Sequence, residues 1–253
     1  MHRFFLPPER CQDHRLILQG REAHHATRVL RLKAGDEAVV LDGAGRTFRC
    51  RVVDGSKSAV ILEVLSSEVV PPDRALVTLV AAIPKGQLFE DIVEHATELG
   101  ASTLIPMMTE RSNVRLAETD ARAKQEKWQT ISHEAMKQSG NVWAPVIQVP
   151  TSFRKLLSPP PPGELALVGA LRPGAVEVRE AFADFKQRTG RIPQAVRLWI
   201  GPEGDFTDGE IEQLLALGVT PITLGSRILR CPTAALVLLG LVLHELRCSV
   251  KME

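Results

Sequence analysis

The sequence predicts an α/β protein in two parts, a small strand-rich segment followed by a larger one in which strands alternate with helices. Three observations carry that reading. Up to residue 70 the chain holds short runs rich in Val, Ile and Leu, separated by glycine turns. Pro71-Pro72 then interrupts it, and consecutive prolines break helix and ladder alike. From Ala75 onward, continuous apolar runs of the kind expected for strands buried on both faces alternate with helical periodicity.

In the first part, His14 to Gln19 reads as extended and Glu22 to Leu30 fits one short helix. Glu37 to Leu41, Arg46 to Val53 and Ser58 to Leu65 read as strands. Asp42-Gly43-Ala44-Gly45 and Asp54-Gly55 separate them as turns, because glycine adopts positive φ at little cost. Strands this short, at this spacing, suggest a small β-barrel. Ser66 to Arg74 is the linker.

In the second part, Ala75 to Ile83 is a strand. Gln87 to Leu99 is a helix with Leu88, Ile92, His95 and Leu99 on its periodic stripe and Gly100 as its stop. Thr103 to Met107 is a strand and Glu118 to Ser139 a long polar helix. Pro159 to Pro162 form a surface loop. Leu165 to Ala170 and Val196 to Ile200 are strands, with a helix over Val178 to Arg188 between them. Thr207-Asp208-Gly209-Glu210 is a capping box opening a helix from Glu210 to Leu217, which Gly218 ends. Pro221 to Leu224 is a further strand, and Thr233 to Arg247 the final helix.

With 253 residues, 44% apolar and 24% charged, the composition is that of an ordinary globular chain. The apolar run Ala234 to Leu243 is too short to span a bilayer, and the opening residues lack a signal peptide's apolar core, so no membrane partner and a cytoplasmic location are expected. Cys11, Cys50, Cys231 and Cys248 form no C-x-x-C pair and read as free thiols. His24 and His25 are adjacent on a helix, about 100° apart, which suits an RNA-facing or exposed role better than a shared metal; no metal is expected. Trp128 and Trp143 either stack on bases or are buried. The net charge is +1, but residues 1–35 carry seven Lys or Arg against three acids, a candidate basic face for phosphates or a plain solvated surface.

Two glycine-bearing loops follow consecutive strands, Ile200-Gly201-Pro202-Glu203-Gly204-Asp205-Phe206 and Leu224-Gly225-Ser226-Arg227-Ile228-Leu229-Arg230. In an open α/β sheet, ligands bind beyond the carboxyl ends of the strands. A pyrophosphate needs bare N–H groups free of negative charge, yet Glu203 and Asp205 occupy the first loop, and neither phosphate-binding glycine pattern is present. Carboxylates there favour a cationic ligand, and S-adenosyl-L-methionine fits, with an adenosine, a sulfonium and no phosphate. Plain turns after strands explain the same glycines.

The stretch Leu198 to Leu236, LWIGPEGDFTDGEIEQLLALGVTPITLGSRILRCPTAAL, closely resembles the signature of the 16S ribosomal RNA uracil-N3 methyltransferase family (the ribosomal RNA small subunit methyltransferase E family), of the SPOUT class. Met1 to Phe5, His24 to Arg31, Lys85-Gly86, Glu98-Leu99-Gly100, Pro106, Thr109 to Ser112, Glu134 and Gln138-Ser139 match in order. The resemblance implies a PUA-like β-barrel for RNA over residues 1–70 and a SPOUT-type trefoil-knotted parallel-sheet domain over residues 74–253. It further implies a homodimer and, as substrate, 16S ribosomal RNA or the small ribosomal subunit. It places the methyl donor against Ile200, Gly201, Pro202, Glu203, Gly204, Leu224, Gly225, Ile228, Leu229 and Arg230, with Leu167, Gly169 and Ala170 as a third wall. Arg3, Arg28, Arg31, Lys85 and Arg111 are the RNA-binding candidates. Asp205 stands where the family usually has a second glycine, Asn141 where an arginine commonly follows Gln-Ser-Gly, and Cys231-Pro232 where a polar pair is usual.

For the chemistry, Arg230 and Arg227 are the candidates to stabilise a uracil anion, and Glu203 either accepts the N3 proton or holds its loop. Arg227 has alternative roles in an ion pair with Glu203 or at a dimer contact. Two other functions stay open at this level: a SPOUT relative acting on another RNA or atom, and a non-catalytic RNA-binding ribosome assembly factor.

Overall fold

The structure, a computed structural model, describes residues 1–56, 58–73 and 75–250. Arg74 and residues 251–253, the two ends of the second predicted segment, lie outside the described residues. The chain divides into two units: Met1–Pro72 with His133–Ala144, and Asp73–Ser132 with Pro145–Glu253.

In the first unit, β1 (His2–Phe5), β2 (Arg15–Gln19), β3 (Glu37–Leu41), β4 (Arg46–Gly55) and β5 (Ala59–Val69) form a sheet in the order β1-β3-β4-β5-β2. β1 is parallel to β3 and the other pairs are antiparallel. Strand alternation sends Leu16, Leu18, Val40, Phe48, Cys50, Val52, Val60 and Leu62 inward around Phe4. The turn after β3 is fixed by the buried Asp42 carboxylate, which accepts from the Ala44 and Arg46 amides and pairs with the Arg46 guanidinium at 2.8 Å. The helix expected over Glu22 to Leu30 is α1 (Gly20–His24) running into a π-helical turn, His25–Val29, closed by the Leu30 N–H donating to the His25 carbonyl. The widened turn keeps Ala23 and Ala26 in the core, leaves Arg28 and Val29 outside, and ends at Arg31 with φ 54°.

Residues 133–144 return to this unit as the end of α3 (Glu118–Ser139) and the chain beyond it. Helix ends leave carbonyls without partners, and here the Arg3 guanidinium donates to those of Lys137 and Gln138. Phe5 stacks on His133 at 3.9 Å, and Lys137 pairs with Glu22 and Glu134. The Trp143 indole donates to the Val70 carbonyl and lies so close over Gly45 that a Cβ there would meet the ring at 2.3 Å. Trp143 is thus a packing residue, and Trp128 is buried against Phe89 in the second unit.

The second unit runs β6 (Leu76–Ala82), α2 (Leu88–Leu99), β7 (Thr103–Met108), α3, β8 (Val146–Ile147), β9 (Thr151–Ser152), α4 (Phe153–Leu156), β10 (Glu164–Gly169), α5 (Val178–Thr189), β11 (Ala195–Ile200), α6 (Asp208–Ala216), β12 (Thr220–Ile222) and α7 (Cys231–Val250). Its sheet is parallel throughout, in the order β12-β10-β11-β6-β7-β8 with β9 also on β7. One face packs on α2, α5 and α7, the other on α4 and α6, which explains the uninterrupted apolar strands. The buried stripe of α2 is Phe89, Ile92, Val93, Ala96 and Thr97; of the expected Leu88, Ile92, His95 and Leu99, Ile92 is buried and the other three are exposed. The face carrying Phe89 reaches Trp128 and buries more, and the Thr97 hydroxyl is satisfied by the Val93 carbonyl, so a polar residue can sit inside. Cys231–Cys248 is long and apolar enough to cross a membrane, but Ala235, Leu238, Leu239, Val242 and Leu243 are packed in the core beside the sheet.

Candidate functional site

Three neighbouring strands, β12, β10 and β11, end at the same edge of the sheet, with Gly169 opposite Ile222 and Val168 opposite Trp199. The loops that follow them therefore meet, and between them lies a cleft of about 350 Å³, within the size range of small-molecule sites. Gly169 stands where the strands crowd, and a Cβ there would meet the tip of the Ile200 side chain at 3.2 Å. Ala170 is held by its N–H donating to the Ile222 carbonyl.

The loop after β11 begins at Gly201, where a Cβ would press on the Phe206 ring at 3.1 Å. Phe206 is buried against Phe153 and anchors the far end. Between them the Asp205 N–H closes a turn onto the Pro202 carbonyl, with Asp205 in the left-handed region at φ 59°. The Arg111 guanidinium donates to the carbonyls of Gly204 and Phe206 at 2.9 and 3.3 Å. Glu203 accepts from the Lys85 amide. Immediately beyond, the expected capping box is present, and the buried Glu210 carboxylate also accepts from the Glu110 amide at 2.9 Å. The loop is thus tied at both ends and in the middle.

The loop after β12 turns at Gly225, φ 97°, whose N–H donates to the Thr223 hydroxyl. Ile228 follows with 89% of its surface exposed. The Ala234 N–H donates to the Arg230 carbonyl, so Arg230 caps α7 and Pro232 falls in its first turn, where a missing N–H costs nothing.

The cleft brings together Gly169, Ala170, Ile200, Gly201, Pro202, Glu203, Gly204, Leu224, Gly225, Ile228 and Leu229 from the expected donor set, together with Arg227. Leu167 and Arg230 do not line it. Leu167 is 0% exposed; it shares a face of β10 with Gly169 but lies two residues back from the loop end, packed into the core beside α7. Arg230 is exposed at the N-cap of α7, between the lining residues Leu229 and Cys231. Sequence reasoning missed Leu171, Asp205, Cys231 and Ala234 as lining residues. Asp205 had a signal, its departure from the family glycine; Cys231 and Ala234 enter only because the first turn of α7 forms part of the wall. Burial, and secondarily the Glu203 charge, push the Cys231 thiol up to about 12. It is a neutral, apolar wall, donating weakly to the Ala82 carbonyl. Among the described residues no ion pair joins Arg227 to Glu203, and no group of three or more potential metal ligands is present.

The RNA candidates divide. Arg28 and Arg31 are exposed on the π-turn and its end, and the Lys85 side chain is exposed beside the first loop. Arg3 is occupied with helix carbonyls and Arg111 with loop carbonyls.

Residues 71–243 match the model of an RNA methyltransferase domain, and residues 18–65 that of an RNA methyltransferase PUA domain. A ribosomal RNA small subunit methyltransferase E from Synechocystis is 36% identical over 94% of this chain and 76% of its own. The protein of the same name from Bacillus subtilis is 31% identical over 90% and 89%. A ribosomal RNA small subunit methyltransferase E from Neisseria gonorrhoeae, solved bound to S-adenosyl methionine, superposes with a TM-score of 0.83 at 27% identity, covering 95% of this chain and 96% of its own. A protein from Legionella pneumophila, solved with SAM as bound cofactor, gives 0.84 at 26% identity, covering 96% and 97%.

Proposed function

The chain belongs to the ribosomal RNA small subunit methyltransferase E family, and from that premise we propose that it transfers a methyl group from S-adenosyl-L-methionine to N3 of a uridine in 16S ribosomal RNA. The observation that carries this reading is the three-loop cleft. It offers close backbone approach at Gly201 and Gly225, apolar walls at Ile200, Leu224 and Leu229, and the carboxylates of Glu203 and Asp205. Those features suit an adenosine with a sulfonium and disfavour a phosphate. The first unit carries the RNA and the second the donor, in a cytoplasmic homodimer whose second domain has the trefoil-knotted SPOUT topology that the resemblance implies.

The donor already activates its methyl group, so the protein chiefly aligns it with the nitrogen. N3 loses its proton, its electron pair forms the new N–C bond, and the S–C bond breaks to leave a neutral thioether. Arg227, in the cleft wall, is the group we assign to stabilising the uracil anion, with Arg230 the next nearest guanidinium in sequence. Glu203 orders the loop through the Lys85 amide and is, of the two carboxylates lining the cleft, the one we assign to the departing proton. A stacked base must be splayed out to reach such a cleft.

The test has two arms. Calorimetry should give saturable binding of S-adenosyl-L-methionine. Incubation with small subunits or 16S RNA lacking the modification should place one methyl group, read as 3-methyluridine by mass spectrometry of the digested RNA. Donor binding with methylation at another atom would sink the N3 assignment alone. Absence of donor binding would sink the whole reading.

A further inference from the structure

We propose that Asp205 makes the cleft discriminate between methyl donor and spent product, holding the sulfonium form and releasing the neutral thioether. The proposal rests on the donor reading of the cleft. Asp205 lines the cleft on the first loop with φ 59°, a conformation that glycine adopts without penalty. Geometry alone is met by glycine, asparagine or aspartate. The Asp205 Oδ1 accepts from the Phe206 N–H at 2.7 Å, which steadies the turn, but an asparagine oxygen would accept the same bond. What aspartate adds over both is charge.

That charge lies where it matters. A Cβ on Gly201 would stand 3.2 Å from Asp205 Oδ1, so the carboxylate borders the point where the backbone leaves the strand and opens the cleft. Glu203 shares the wall, and its charge already reaches the interior, where it adds to burial in raising the Cys231 thiol. Against these two carboxylates the lining supplies one guanidinium, Arg227, from the opposite loop. The cleft lining thus carries net negative charge. Methyl transfer removes one positive charge from the sulfur and leaves the rest of the molecule unaltered. The part of Asp205's electrostatic contribution that acts on the sulfonium is therefore present with the donor and lost with the product, which helps clear the site after each turnover.

The test compares Asp205→Asn and Asp205→Gly with the parent by calorimetry, using S-adenosyl-L-methionine and S-adenosyl-L-homocysteine at low and high salt. Asparagine keeps the turn and the Phe206 bond; glycine relaxes the backbone. Both variants should bind the donor about five-fold more weakly and hold product affinity within about two-fold, as expected for loss of one partly solvated charge. The parent's donor preference should shrink with added salt, whereas that of the asparagine variant should be nearly flat. Equal weakening of both ligands would mean that Asp205 only shapes the loop and would overturn the proposal, as would unchanged affinities. A parent protein that binds neither ligand would instead overturn the donor reading itself, so the two failures are distinct.

Discussion

Arg227 and Arg230 stand three residues apart, yet only Arg227 lines the cleft, while Arg230 spends its carbonyl on the first turn of α7. If Arg227 acts mainly on charge that develops during transfer, Arg227→Ala should lower single-turnover rates by roughly a hundred- to a thousand-fold at saturating donor. Donor affinity should change far less, and some rate should return as pH rises and solvent ionises the base. Arg227→Lys should rescue partly, because an ammonium lacks the planar fork. The reverse ranking, with Arg230→Ala the crippled variant, would restore Arg230 to the role. A second residue-scale consequence lies in the first unit. Burial, assisted by the neighbouring Lys137 charge and opposed by Glu134, lowers His133 to about 4 from 6.5. The folded state thus takes up the proton later than the unfolded chain does. The contribution is fully present above pH 6.5 and is lost progressively as pH falls toward 4. The urea midpoint should fall across that window, and His133→Phe, which retains an aromatic ring against Phe5, should flatten the slope. An identical slope in the variant would show that other groups set it.

At the scale of elements, the two loops achieve close approach by different means. Gly201 faces the Phe206 ring, so Gly201→Ala should displace the loop, whereas Gly225 faces open space and owes its identity to φ 97°. Gly225→Ala should therefore cost about 1 kcal/mol in backbone strain and weaken donor binding only modestly, while Gly201→Ala should weaken it more than ten-fold; calorimetry with matched thermal melts checks both. The π-turn presents Arg28 and buries Ala26, with Arg31 exposed just beyond it. Replacing both arginines by alanine should weaken RNA binding and flatten its log–log salt slope by about one unit for each phosphate no longer neutralised, with donor affinity unchanged. Arg3→Ala should instead reduce thermal stability, since its guanidinium caps α3. These elements also show what was legible in the chain. The parallel strands, the capping box at Thr207 and the two loops announce themselves locally, by apolar runs, cap chemistry and glycines. The π-turn, the inward face of α2 and the return of residues 133–144 to the first unit do not, because each is decided by partners remote in sequence. For the same reason Arg3 and Arg111 read as free cations until the carbonyls they hold are seen.

At the scale of the molecule, the remaining question is what covers the outer side of α7. Its inner side, Ala235, Leu238, Leu239 and Val242, is fully used by the core of the second unit. Val237 and Leu241, one turn apart, remain 39% and 42% exposed, and Leu171 and Ile228 beside the cleft are exposed more strongly still. Large contiguous apolar patches mark association surfaces, and these four residues are the candidates we take for one. A second copy of the chain is the occupant that the resemblance implies, and a two-fold dimer would bury the same patch on both subunits. Sedimentation equilibrium should therefore return twice the chain mass at micromolar concentration. Val237→Glu with Leu241→Glu should shift it to the single-chain mass, since each introduced carboxylate would be desolvated against its counterpart. Because Leu171 and Ile228 border the donor cleft, the monomeric variant should also bind donor more weakly, although neither substituted residue lines the cleft. A dimer that survives both substitutions would move the interface elsewhere, and a fully active monomeric parent would remove it altogether.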